Sequence, residues 1–60
     1  MDYTIIRKLR IENDITLEEV ATAVGLTRAG VSLIERGISN PHARTAYKLD
    51  RWIVKVRKEA

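Results

Sequence analysis

The side chains of this chain that could do chemistry are mostly cations, and their distribution is uneven. Between Val20 and Leu49 the only acid is Glu35, set against Arg28, Arg36, Arg44 and Lys48. Four of the eight acids, Glu12, Asp14, Glu18 and Glu19, are gathered ahead of Val20. A run of unbalanced cations gives one face of a small domain the means to meet phosphates. Other chemistries have less to work with. There is no cysteine, and the one histidine, His42, has no second strong ligand at metal spacing. Neither a disulfide framework nor a structural zinc site is expected. Glu18 and Glu19 are adjacent and point apart on a helix, which is wrong for a shared acid–base site. With no nucleophile–base pair and no glycine-rich phosphate loop, the sequence predicts no enzyme and no cofactor.

Composition sets the frame for those cations. The 60 residues carry a formal net charge of +3, with 45% hydrophobic and 32% charged residues, the balance of a soluble folded domain. The pI near 9.7 favours acidic partners. No apolar run approaches the roughly 20 residues that cross a bilayer, and the acidic start Met-Asp-Tyr-Thr lacks the basic region of a secretory signal. A cytoplasmic protein with no membrane association is expected. A single domain over residues 1–60 is also expected, without linkers or repeats. A chain this short buries only about 60% of the surface its unfolded form exposes, so a homodimer is expected to add stability.

Helical elements must position the cations. Ile5, Ile6 and Leu9 fall at helical spacing within Asp2–Asn13, and the Asn13-Asp14 pair prefers a turn. Thr16-Leu17-Glu18-Glu19 has the form of a capping box. It opens a second helix that buries Val20, Ala21 and Val24 and stops at Gly25. Thr27 caps a third, Arg28–Arg36, with Val31 and Ile34 inward and Gly37 as its stop. Ser39-Asn40-Pro41 is turn chemistry. A last helix is predicted from near His42 toward Arg57 on the stripe Ala46, Leu49, Trp52 or Ile53, and Val56. The alternation Val54-Lys55-Val56-Arg57 is also compatible with a short strand. Four apolar residues among Trp52–Val56 look like more than one side of a thin core can cover, so a dimer contact is expected near Trp52 or Ile53.

Two short helices joined by a glycine-containing turn are the requirement of a helix-turn-helix, here over about residues 17–36. Ala21 is small where two helices cross, Gly25 supplies a positive φ, and Val20, Val24, Leu26, Val31 and Ile34 are the shared core. The set as a whole resembles the Xre/Cro–cI class of phage and bacterial repressors. The likeness runs from Ile6 to about Ile53. Its most specific piece is Val31-Ser32-Leu33-Ile34-Glu35-Arg36-Gly37 followed by Asn40-Pro41, with Leu9-Arg10 in the first helix.

That resemblance implies an all-α, lambda-repressor-like domain of four or five helices. It also implies a structural ion pair of Arg10 with Glu35. The implied partner is double-stranded DNA, bound as a pseudo-palindromic operator by a transcriptional regulator of the repressor or Cro type. Base contacts would fall to Arg28, Ala29, Ser32 and Leu33. The Arg28 fork suits O6 and N7 of guanine, and Ala29 suits a thymine methyl. Phosphate contacts would fall to Thr27, Arg36, Asn40 and Arg44, helped by backbone amides. His42 reads as a surface or capping residue, and Lys55, Arg57 and Lys58 as a solvated tail.

Three positions depart from the family pattern. Leu17 stands where glutamine is usual, Leu33 where a polar residue is usual, and Gly30 lies inside a helix at a cost of about 0.5–1 kcal/mol relative to alanine. They leave a second reading open, in which Leu33 and the last helix meet a protein partner. A contiguous apolar patch around Arg28 and Leu33 would favour that reading, and a basic, polar surface would favour DNA.

Overall fold

The computed structural model describes residues 3–59, with the side chains of 3–58. It is all-α: α1 (Ile5–Glu12), α2 (Leu17–Val24), α3 (Arg28–Glu35) and α4 (Ala43–Glu59), with no strand among the described residues. α2 packs chiefly against α3 and α4, and α1 packs against the same two helices. Each helix gives one stripe to a common core. Ile6 and Leu9 come from α1; Val20, Ala21 and Val24 from α2; Val31 and Ile34 from α3. Leu49, Trp52, Ile53 and Val56 complete it from α4. Fully burying a side chain of this size contributes about 1.5–3 kcal/mol, which makes this shared cluster the main stabilising element of so small a domain.

The helix ends show how the sequence divides the chain. Asn13 Nδ2 donates to the Leu9 carbonyl at 2.8 Å and closes α1, after which Asp14 takes a left-handed φ of 54°. An aspartate tolerates that conformation better than most residues. α1 is shorter than the periodicity suggests. Tyr3 and Thr4 form a turn before it, and Asp2 lies outside the described residues. Tyr3 Oη donates to Asp50 Oδ1 at 3.1 Å and ties this turn to α4.

α4 runs unbroken through Val54–Arg57, so the strand alternative does not hold. Helical spacing puts Val56 three and four residues beyond Ile53 and Trp52, on their buried side, and turns Val54 outward. Three of the four apolar residues expected as a surplus at this end are buried for the same reason, while Val54 is 51% exposed. Trp52, Ile53 and Val56 are 9%, 2% and 7% exposed within one chain. Trp52 and Ile53 are therefore core residues of the single chain.

One charged group joins the core. Glu35 is 6% exposed, and Arg10 holds it with two hydrogen bonds. Arg10 Nε donates to Oε2 at 3.1 Å and Nη2 to Oε1 at 3.0 Å. Nη1 also donates to the Ile15 carbonyl at 3.3 Å. The guanidinium thus links α1, the loop before α2, and the C-terminal end of α3. A bidentate pair of this kind is geometrically demanding, and removing one partner strands a desolvated charge.

This packing sets the cost of two kinds of substitution. Ala21 is 4% exposed, and Ala21→Leu should cost about 1–3 kcal/mol in urea denaturation through overpacking. Unchanged stability would mean there is room beside α2. For the ion pair, Arg10→Met or Glu35→Leu alone should cost about 3 kcal/mol or more, and the double variant less than the sum by about 1–3 kcal/mol. Strict additivity in that cycle would show that the two groups are uncoupled.

Candidate nucleic-acid interface

The segment from Thr16 to Gly37 is held by local chemistry at each junction. The Thr16 hydroxyl accepts from the Glu19 amide at 3.1 Å while the Thr16 amide donates to Glu19 Oε2 at 2.7 Å. This reciprocal box fixes the start of α2. At its end Gly25 adopts φ 72°, and the Gly25 and Leu26 amides both donate to the Ala21 carbonyl. Only a residue without Cβ takes that conformation cheaply. Thr27 follows in extended backbone and caps α3, its hydroxyl accepting from the Gly30 amide at 3.0 Å. α3 closes in the same manner as α2. Gly37 has φ 77°, and the Ile38 and Ser39 amides donate to the Leu33 carbonyl.

Because α3 buries Val31, Ile34 and Glu35, its opposite side is fixed by helical spacing. Ala29, Ser32, Leu33 and Arg36 share that outward stripe; Ser32 is half-buried and the others are exposed. Arg36 lies back along the helix, its Nε 3.4 Å from the Ser32 carbonyl to which it donates. Leu33 is 36% exposed and does not turn into the core. Arg28, at the first position of α3, sits on the flank that faces the start of α2. It shares an open depression there with Asp14, Thr16, Leu17 and Glu18. Among the described residues Arg28 makes no hydrogen bond or ion pair.

The residues expected to bind phosphate are all exposed. Thr27 is exposed at the start of α3, Asn40 in the loop after it, and Arg44 in the first turn of α4. Thr27 Oγ1 already accepts from Gly30, so its proton remains as a donor toward the outside. His42 stands ahead of α4, and its carbonyl accepts from the Ala46 amide at 2.7 Å.

Three features are not legible from residue types. Lys48 Nζ lies 3.6 Å from where a Cβ on Gly25 would project, which places a cation at the C-terminal end of α2. That end has no basic residue of its own, and its carbonyls favour positive charge. At Gly30 a Cβ would stand 3.2 Å from Thr27 Oγ1, a tight contact that a shift of a few tenths of an ångström would relieve. Glu18 shares the depression with Arg28, a juxtaposition that depends on the angle between α2 and α3 and has no signal in sequence.

Comparison with known proteins agrees with this geometry. The helix-turn-helix family profile matches residues 6–51. The chain is 42% identical over 48 residues to an uncharacterised HTH-type transcriptional regulator of Archaeoglobus fulgidus, covering 80% of this chain and 69% of that protein. Uncharacterised HTH-type transcriptional regulators of Mycobacterium bovis and Mycobacterium tuberculosis are 40% identical over 48 residues. The match covers 80% of this chain and 19% of each mycobacterial protein, so the likeness spans about a fifth of their length. No solved structure matches the chain. With the capped helices, the glycine turn and the profile in agreement, this chain belongs to the Xre/Cro–cI-like helix-turn-helix family, a class of DNA-binding domains.

Proposed function

We propose that this chain is a sequence-specific regulator of transcription that reads the major groove of duplex DNA with α3. The observation that carries the reading is the outward side of α3. Ala29, Ser32, Leu33 and Arg36 form one stripe with the unpaired Arg28 at its N-terminal end, on an eight-residue helix whose other side is locked into the core. A rigid helix presenting the guanidinium groups of Arg28 and Arg36 beside short side chains is suited to base edges and the flanking phosphates. The names of the relatives supply the regulatory part of the reading.

In this account Arg28 takes guanine O6 and N7, Ser32 donates or accepts at a base, and Ala29 and Leu33 touch thymine methyls. Thr27, Arg36, Asn40 and Arg44 hold the sugar-phosphate rim. The mechanism is occupancy, in which a repressor or Cro-like homodimer covers a pseudo-palindromic site at a promoter. Such a protein works in the cytoplasm, on the nucleoid.

Binding should be measured at several salt concentrations on a duplex selected from random sequences and on a scrambled one. Arg28→Ala should cost about 1–3 kcal/mol on the selected site and little on the scrambled one. Arg44→Ala should weaken both alike and lower the salt slope by about one unit for each phosphate that the side chain no longer neutralises. Equal weakening by both variants on both duplexes would remove Arg28 from the groove. If neither variant mattered, a protein partner would become the better reading. For a dimer, the selected sites should hold two inverted half-sites about 10 base pairs apart or a multiple of that; a lone half-site would mean a monomer.

A further inference from the structure

The depression beside the first turn of α3 is lined by four charged residues, Arg10, Asp14, Glu18 and Arg28, over Ile11, Ile15 and Leu17. Their charges are not equally available. Arg10 is committed to Glu35 and to the Ile15 carbonyl. The neighbouring Glu19 is committed to the Thr16 amide in the capping box. Asp14 and Glu18 are exposed and, among the described residues, make no hydrogen bond or ion pair. Arg28 is exposed and unpaired as well. At this corner two free carboxylates therefore stand against one free guanidinium.

We propose that Glu18 is a specificity-determining residue of the DNA interface, acting by holding sequence-independent attraction down around Arg28. The inference rests on the reading of α3 as the groove-reading helix. On random DNA, attraction is a sum of charge–phosphate terms that reach about a Debye length, roughly 8–10 Å at ordinary salt. A phosphate approaching this corner meets Glu18 and Asp14 together with Arg28, and the cation's pull is cancelled. Glu18 also lies in the first turn of α2, whose free amides would otherwise draw an anion. The contact of a guanidinium with guanine is different in kind. It is short, directional and bidentate, so a nearby carboxylate takes away little of it. Glu18 thus subtracts more from binding to random sequence than from binding to the preferred site.

The test is Glu18→Gln, with Asp14→Asn as a second variant, measured on a selected and a scrambled duplex from low to high salt. Glu19 and the capping box are untouched, and a retained cooperative urea transition checks the fold. At low salt Glu18→Gln should tighten binding to the scrambled duplex by about 3- to 10-fold and to the selected site by about 2-fold or less, a difference that shrinks as salt rises. Asp14→Asn should move both in the same direction. Equal tightening on both duplexes, or none on either, would overturn the proposal. The unsubstituted protein separates this from the reading beneath it. If it shows no preference for the selected site, sequence-specific readout fails whatever Glu18 does.

Discussion

The contact on which the rest of this domain depends is the guanidinium of Arg10 against the carboxylate of Glu35. Glu35 is the only charged residue buried among the described residues, and it sits at the last position of α3. Its two oxygens each receive one N–H from Arg10, while the third donor of that side chain reaches the Ile15 carbonyl. The end of α1, the loop that follows it and the distant end of α3 are thereby set by one planar group. Apolar packing alone is tolerant of small rotations, since Val31 and Ile34 could slide against Val20 and Val24 at modest cost. A two-pronged ion pair is not tolerant in the same way. Such a pair need not add net stability. Its effect here is to fix where α3 points, which a recognition surface requires more than it requires stability.

The caps and turns extend that constraint along the chain. Thr16 and Glu19 fix the start of α2, Gly25 turns the chain, and Thr27 fixes the start of α3. Lys48 brings its ammonium from α4 to the side of Gly25. The outward stripe of α3 is thus fixed from both ends and from beneath.

Much of this is legible in the sequence, because the signals are local. The capping box, the two stop glycines and the helical spacing of Val20, Val24, Val31 and Ile34 define α2 and α3 closely. Long-range features are harder. The four apolar residues at Trp52–Val56 look like a surplus because residue counting does not show that α4 continues and sends three of them to one side. Periodicity starts α1 too early because amphipathic spacing persists into a turn that Tyr3 ties to Asp50. Glu18 carries no signal of its part in the interface, because its relation to Arg28 exists only once α2 and α3 have crossed. Leu17, a departure from the family pattern, packs against the edge of the core, so part of its role is structural.

The central claim is that the outward side of α3, and not the outer side of α4, meets DNA. α4 exposes Tyr47 and Val54 among Arg51, Lys55 and Lys58, and is itself basic enough to attract phosphate. Amide chemical shifts recorded while a duplex bearing the selected site is titrated in would separate the two surfaces. The account predicts that the largest changes fall on Thr27–Arg36 and on the loop to Arg44, with Tyr47–Lys58 nearly still. Changes centred on Tyr47, Arg51 and Val54, with Arg28 and Ser32 unmoved, would contradict it.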